Sequence, residues 1–245
     1  MGHAFVSARR ACRRTASLSH SKHHSMGSSL PLILVPTPTE SRLITPLLSA
    51  AGRDDLQVAC CGFGPIAAAA RTAHLLAQHE PASVLLVGIA GGFPGQGELG
   101  QAYRFGKTVS YGVGVGTAAA FQSAASLGWP QTAAWKNETS AEEIDDVFSL
   151  LTAAGTPEAE RLLLTACSAS ADQADAAVRQ QLWPGAFAED MEGFAVALAC
   201  QQRGTPCMII RGLSNWVGDR EKKNWLIEEA LQAAVALVLE SVAAR

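Results

Sequence analysis

Glu189-Asp190-Met191-Glu192-Gly193 is followed one helix later by Arg211-Gly212-Leu213-Ser214-Asn215, and what lies between these two stretches decides the fold. Phe194 to Cys200 is almost wholly apolar, Gly204 has the place of a helix C-cap, and Cys207 to Leu213 has the pattern of a buried strand. Carboxylates and a carboxamide therefore stand at the two ends of one apolar helix-and-strand unit. In open α/β sheets ligands bind in the crevice beyond the carboxyl ends of the strands, which is where Ser214 and Asn215 fall. Asp190 reads as the N-cap of the helix through Cys200.

Upstream the same alternation repeats. Leu30 to Thr37 reads as a first buried strand closed by Pro36 and Pro38, after which Glu40 opens a helix. Leu56 to Cys61 is a second strand, Gly62 to Gly64 a tight turn, and Pro65 to Gln78 an Ala-rich helix with proline at its first position. Ser83 to Ile89 is a third strand, running into Gly88-Ile89-Ala90-Gly91-Gly92, where small residues let backbone N–H groups approach a ligand. That run is not G-x-G-x-x-G and no helix pattern follows it at once, so it is not a dinucleotide fingerprint. Gly97 to Val115 is Gly-rich β structure and Ala118 to Asp146 is loop-rich. Leu162 to Ala166 is a strand, Ala171 to Leu182 a helix, and Trp225 to Val242 a long closing helix. This alternation predicts a single α/β domain with a central mixed, largely parallel sheet flanked by helices.

Composition narrows the function classes. The 245 residues are 48% hydrophobic, enough for one large core over residues 30–245. Residues 1–29 hold Arg9, Arg10, Arg13, Arg14, Lys22 and four of the six histidines, with no acidic residue and no signal-peptide core. They read as a disordered leader or an overextended start. Five of the 19 Lys and Arg lie there, so the body carries 14 against all 22 Asp and Glu, a formal net charge of −8. An acidic body without clustered basic residues is a poor nucleic-acid binder, and no uninterrupted apolar run is long enough to span a membrane. The six cysteines show no C-x-x-C spacing and suit a reducing cytoplasm as small buried hydrophobes. The body keeps only His74 and His79, without ligand-spaced partners, which argues against a metal site and against Ser-His-Asp chemistry.

Each polar residue also has an ordinary structural role. A glutamate at position 192, one turn into a helix, is a favourable helix-dipole charge, and Glu40 is a common first-turn acid. Asn215 can serve as a turn residue, Gly88 to Gly92 as a tight turn, and Arg211 as an ion-pair partner that orients Asp190 or Glu192. Asp219 to Lys223 is the composition of a solvated loop. Their joint order along one βα framework is what favours a functional reading.

That ordered set resembles the purine nucleoside phosphorylase and nucleosidase superfamily over nearly everything from Leu30 to Arg245. The Gly-x-Ala-Gly-Gly element at Gly88 to Gly92 and the Met-Glu-Gly element at Met191 to Gly193 are superfamily-wide features. Tyr111 to Gly114, the stretch Phe121 to Trp129, and Asn215 with Val217 to Arg220 resemble more closely the futalosine hydrolases of menaquinone biosynthesis. The resemblance implies cleavage of a purine N-glycosidic bond without metal or organic cofactor, a small-molecule nucleoside as substrate, and a homo-oligomer. By the same resemblance Glu40 is the general base on water and Glu192 holds the ribose hydroxyls with Met191 packing on the sugar. Asn215 bonds the purine at N7, and Ala90, Gly91, Ser214 and Arg211 complete the substrate site.

Two departures from the adenine-cleaving nucleosidases matter. They carry an aspartic acid where this chain has Asn215; an amide cannot deliver a proton to N7 but can donate to it, which favours a 6-oxopurine. They also carry an aromatic near what is here Cys167 to Ser170, where this chain offers Ala169 and Ser170, leaving Phe187 or Trp216 to stack on the base. Basic phosphate ligands are absent from Val35 to Glu40 and from Val87 to Gly92, so water is the expected acceptor. The rivals are action on another nucleoside (aminodeoxyfutalosine, methylthioadenosine or inosine) and a non-catalytic nucleoside-binding protein. The Gly-rich and loop-rich stretch from Tyr111 to Trp129 is the candidate holder of the non-purine end of the substrate.

Overall fold

Apolar side chains alternate between two cores along most central strands, and that period of two sets the layers. In the computed structural model, which describes residues 30–132, 146–150 and 156–243, the first strand β1 is Leu32–Val35. Leu32 and Leu34 enter one core, Ile33 and Val35 the other. The remaining strands are β2 (Val58–Cys60), β3 (Val84–Gly92), β4 (Ala102–Phe105), β5 (Lys107–Tyr111), β6 (Gly114–Val115), β7 (Gln122–Ser123), β8 (Val147–Ser149), β9 (Leu162–Ala166), β10 (Ala186–Asp190) and β11 (Cys207–Trp216). The helices are α1 (Pro38–Ala50), α2 (Pro65–His79), α3 (Pro157–Glu160), α4 (Gln173–Leu182), α5 (Gly193–Gln202) and α6 (Ile227–Ala243). The expectations for residues 1–29, and for 133–145 within the loop-rich stretch, lie outside the described residues.

Nine strands form one sheet ordered β2-β1-β3-β10-β9-β5-β8, with β11 on β3 and β4 on β11. Pairings of β1 with β2 and β3, β9 with β5 and β10, and β11 with β3 are parallel; those of β10 with β3, β4 with β11 and β8 with β5 are antiparallel. The expected mixed, largely parallel α/β sheet is therefore present. Helices α1 and α6 cover one face through Ile44, Leu231 and Val235, and α2 and α5 cover the other through Leu75, Leu76 and Val196. Six of the ten residues of α5 have buried apolar side chains, from Phe194 to Cys200, so this helix is wrapped on all sides and is apolar all round.

The sheet forks at β3. Strand β11 occupies one edge of β3 along its whole length, from Cys207 opposite Val84 to Trp216 opposite Gly92. On the other edge β1 pairs only with Val84 to Leu86 and then leaves at Pro36. Further along that edge β10 takes over in the opposite direction, Glu189 opposite Gly91 and Ala188 opposite Gly92. The gap between the two partners opens the sheet beside Gly88 to Gly91. A β-bulge in β11 between Leu213 and Asn215 makes Ser214 the extra residue and re-aims Asn215 at the same gap.

Three expectations need correction. Strand β10 had no counterpart in the sequence reading, and Asp190 is its last residue rather than the N-cap of the following helix. That helix begins at Gly193 with Glu192 as its flanking residue, because pairing of Asp190 with Thr165 of β9 keeps the chain extended. Strands β3 and β11 continue through Gly92 and Trp216, so Ser214 and Asn215 lie inside a strand, at its bulge, and not beyond its end. Among the described residues no helix is long and apolar enough to cross a membrane.

Gly212 of β11 lies under α6, where a Cβ would stand 2.1 Å from the Ala230 carbonyl oxygen. Because the obstacle is backbone, Gly212→Ala is expected to destabilise the protein by about 1–3 kcal/mol. Chemical denaturation reads this directly, and an unchanged midpoint would show that α6 does not sit this close.

Candidate active site

Thr37 and Glu40 close the first wall of the gap through a capping box at the start of α1. The Thr37 N–H donates to Glu40 Oε2 at 3.0 Å, and the Glu40 N–H to Thr37 Oγ1 at 3.3 Å. Glu40 is more than a cap, since the Ile89 N–H of β3 donates to its Oε1 at 3.0 Å and the side chain is buried at the sheet opening. The ordinary structural role and the candidate functional one thus coexist in one carboxylate.

Behind it lies Arg211, fully buried. Its Nε donates to Asp190 Oδ2 at 3.1 Å, and its Nη2 donates both to Asp190 Oδ2 and, at 3.2 Å, to Glu192 Oε2. Asp190 is further held by Thr165 Oγ1 at 2.6 Å and by the Gly193 N–H at 2.8 Å, the first amide of α5. Glu192 Oε1 accepts from the Gly64 N–H at 2.9 Å, just before α2. Gly64 presents that N–H from φ +82°, a conformation that favours glycine. The starts of two helices and one guanidinium therefore converge on two carboxylates. Gly88 must also be glycine, because a Cβ there would lie 2.5 Å from both Arg211 Nη1 and Glu40 Oε1.

Burial pushes the Glu192 carboxyl up to about 7, with Arg211 and the Gly64 N–H opposing the rise and Asp190 and Glu40 adding to it. Cys61, beside this cluster, is pushed up to about 12 by burial and is a neutral thiol at physiological pH. Free Cys200 and Cys207 are also buried, in keeping with the expected packing role, whereas Cys167 is exposed.

The gap is a cleft of about 220 Å³ whose lining includes Glu40, Ala90, Gly91, Met191, Glu192, Ser214 and Asn215. These seven expected residues are thus brought together. Asn215 is committed within the fold: its Oδ1 accepts from Ser214 Oγ at 2.8 Å, and its Nδ2 donates to the Trp216 carbonyl at 2.9 Å and the Asp219 carbonyl at 3.3 Å. The longer bond is the one a ligand acceptor can displace. Arg211 does not line the cleft and acts through Asp190 and Glu192, the supporting role its charge suggested.

Phe187 is not at the cleft. Its ring packs against Tyr103 and Phe105 at centroid distances of 4.8 and 5.8 Å, on the far side of β10. Trp216 does not line the cleft either; the aromatic residues that do are Phe63, 66% exposed, and Trp225. Phe63 was legible only as part of the Gly62 to Gly64 turn, and Trp225 only as the start of the last helix. Arg220, from the segment that reads as a solvated loop, lies over the Trp225 ring at 5.4 Å and lines the cleft with it. Glu189 and Ala169 also line it. The Tyr111 to Trp129 stretch forms the β6–β7 hairpin and a separate concavity with Val113, Leu127 and Trp129, and none of it lines the cleft.

Residues 28–243 match the Phosphorylase superfamily. The chain belongs to that superfamily. Among its relatives, the futalosine hydrolase of Streptomyces coelicolor is 32% identical over 199 residues, 77% of this chain and 81% of the relative. The 5'-methylthioadenosine/S-adenosylhomocysteine nucleosidase of Marinomonas sp. is 30% identical over 71% of this chain and 72% of its own length. The futalosine hydrolase of Helicobacter pylori superposes with a TM-score of 0.69 at 16% identity, covering 89% of this chain and 98% of that one, a likeness of fold.

The Glu192 shift has a testable sign. A carboxyl raised in the folded state binds a proton there that the unfolded chain releases, so stability is fullest below the unfolded value and falls as pH rises to about 7. Glu192→Gln is expected to flatten that fall in denaturation curves taken between pH 5 and pH 8. An unaltered pH slope would assign it to another group.

Proposed function

We propose that this superfamily enzyme, an N-glycosidic-bond hydrolase, cleaves futalosine with water to release hypoxanthine and leave the dehypoxanthine product. The observation that carries the reading is that Glu40, Glu192 and Asn215 line one cleft. Loss of a purine from ribose passes through a transition state with positive charge on the sugar, as in glycoside hydrolysis, and preorganised carboxylates stabilise that charge as it develops. Water attacks C1′ and gives its proton to Glu40, the C1′–N9 bond breaks, its electron pair passes into the purine, and the departing base takes a proton from solvent to become hypoxanthine. Glu192 accepts hydrogen bonds from the ribose hydroxyls with Met191 against the sugar, and Ala90 and Gly91 bring backbone close to the ligand. Asn215 donates Nδ2 to N7 in place of its 3.3 Å bond to the Asp219 carbonyl.

Water rather than phosphate is supported by charge. Glu40 and Glu192 stand at the sheet opening, and among the described lining residues the only basic side chain is Arg220, next to Trp225. A phosphate nucleophile between the two carboxylates would meet like charge. The substrate assignment is supported by Asn215, which hydrogen-bonds N7 without protonating it, and by the futalosine hydrolases among the relatives.

Chromatography of free base after incubation with futalosine, aminodeoxyfutalosine, methylthioadenosine and inosine, with and without phosphate, tests the reading. Hypoxanthine from futalosine, independent of phosphate, is expected; adenine release or phosphate dependence refutes it. Glu40→Gln keeps a residue that capping boxes accept and removes the base, so kcat is expected to fall by about 10³-fold with modest change in KM. In Asn215→Asp the carboxyl faces the carbonyls of Trp216 and Asp219, which favours its protonated form, and preference is expected to move toward the 6-amino analogue. An unchanged substrate ratio would remove Asn215 from recognition of the base.

A further inference from the structure

Arg220 lines the cleft, and no step of the reaction above uses it. Its guanidinium lies over the Trp225 ring at 5.4 Å, and among the described residues no carboxylate or carbonyl accepts a hydrogen bond from it. The other arginines stacked on rings differ. Arg161 also pairs with Glu158, and Arg179 with Asp175 and Glu189. An exposed arginine without a partner is ordinarily a solvated charge, but Arg220 is held against a ring at the wall of a cleft. Stacking covers a face of the guanidinium and leaves its in-plane N–H fork open, the arrangement that takes a planar carboxylate with two parallel bonds.

The arc from Val217 to Leu226, which joins β11 to α6, keeps that fork open. Trp225 Nε1 donates to the Asp219 carbonyl at 3.2 Å and the Leu226 N–H to the Ser214 carbonyl at 2.8 Å, which together fix the ring. The acids next to Arg220 in sequence are turned elsewhere. Asp219 accepts from the Glu221 N–H at 2.9 Å and from Asn224 Nδ2 at 3.1 Å, bonds that hold its carboxyl below the usual carboxylate range, and Glu221 pairs with Lys223 at 3.5 Å. Trp225 and Asn215 share the Asp219 carbonyl, so the arc stays closed when Asn215 turns its Nδ2 to the base.

Placement of the nucleoside leaves one direction for its remaining substituent. Asn215 and Glu192, both buried, take the base and the ribose hydroxyls, and buried Glu40 takes the water. The 5′ carbon then faces the lining residues that are open to solvent: Phe63, Arg220 and the half-buried Trp225. Two aromatic rings and an unpaired guanidinium suit an aromatic group that bears an acid. Futalosine ends on its 5′ side in a carboxyphenyl group. In a cleft otherwise lined by acids, Arg220 is the one basic side chain among the described lining residues able to attract it.

We propose that Arg220, stacked on Trp225 at the mouth of the cleft, anchors a carboxylate at the far end of the substrate's 5′ substituent and so selects nucleosides with an acidic aromatic tail over those without one. The inference rests on the nucleosidase reading and deepens it by assigning the non-purine end of the substrate. It moves that role from the Tyr111 to Trp129 stretch to the arc after β11.

The test sets Arg220→Ala against futalosine and its methyl ester, which keeps the tail without the charge. The ratio of kcat/KM for the acid over the ester is expected to fall by at least about fivefold relative to the unaltered enzyme, the upper end for an ion pair open to solvent. Because the ratio is taken within one protein, partial loss of folded enzyme cancels. Arg220→Lys keeps the charge without the planar fork and is expected to retain part of the preference. Added salt is expected to lower the ratio in the unaltered enzyme and to leave it flat in Arg220→Ala. A ratio in Arg220→Ala within twofold of the original overturns the proposal.

Calorimetry on Glu40→Gln, in which turnover is slowed, supplies a binding readout. The acid is expected to bind more tightly than the ester by about the same factor, and the further change Arg220→Ala to remove that margin. Equal affinities of acid and ester with Arg220 in place overturn the anchor. If futalosine releases no hypoxanthine from the unaltered protein but the margin and its loss are seen, the proposed reaction fails while the anchor stands. If hypoxanthine is released with acid and ester treated alike, the anchor fails while the reaction stands.

Discussion

A guanidinium with no solvent exposure must be matched by charge at once, because removing it from water costs several kcal/mol that only close, well-directed counter-charges offset. Arg211 has such partners in Asp190 and Glu192, and the match dictates much of the surrounding architecture. Asp190 reaches it only because β10 is paired with β9. Glu192 reaches it only because α5 starts three residues after Asp190, and its second oxygen then meets the amide of Gly64 ahead of α2. Glycine at 88 is what lets the guanidinium and Glu40 close over β3. Two carboxylates on one cation leave net negative charge, and with Glu40 added the opening is anionic where a sugar cation would develop.

The geometry that delivers these groups is a fault in the sheet. A regular parallel sheet would bury Gly88 to Gly91 beneath another strand. Here β1 is stopped by Pro36 after four residues, and β10 arrives from the other direction only at Gly91. The bulge at Ser214 adds one residue to β11 at the same level, so the edge opposite the gap is irregular as well. Each irregularity costs ladder hydrogen bonds, and each is replaced by side-chain bonds: Glu40 takes the Ile89 amide, and Ser214 and Asn215 bond to each other and to nearby carbonyls. The active-site candidates are thus the groups that repair a broken sheet. That is why their structural and functional readings coincide so closely.

Strands buried on both faces were legible because they are continuous apolar runs: Leu32–Val35, Val84–Val87, Leu162–Ala166 and Cys207–Leu213 need only turn residues around them to be bounded. Helix α2 was announced by proline at its first position, and α5 by its unbroken apolar composition. Strand β10 escaped notice because Ala186 to Asp190 is short and ends in two acids, the composition of a helix start. Its acids make sense only with Arg179 and Arg211 in place, partners 10 and 21 residues away in sequence. The same long-range dependence hid Glu189. Phe187 misled for a related reason: a bulge in β10 between Ala186 and Ala188 leaves it as the extra residue, its ring in contact with Tyr103 and Phe105, and no local pattern shows where a bulge falls.

The two ends of the cleft are built on different principles. At the sugar end the carboxylates are under electrostatic tension: Glu192 is held near neutrality's edge, with its carboxyl pushed up to about 7, so its charge responds to whatever positive charge forms beside it. At the base end charge is quenched; Glu189 is paired with Arg179 and the amide of Asn215 is neutral. A responsive charge stabilises a transition state more than a ground state, whereas a quenched, oriented one selects among ground states by hydrogen-bond direction. Neither arrangement favours the folded chain over a well-packed apolar replacement of similar volume, since buried ion pairs seldom do. Packing alone would fill both sites with leucine and methionine. That four buried carboxylates and two buried guanidiniums occupy them instead is the physical argument that this part of the fold was shaped for a reaction.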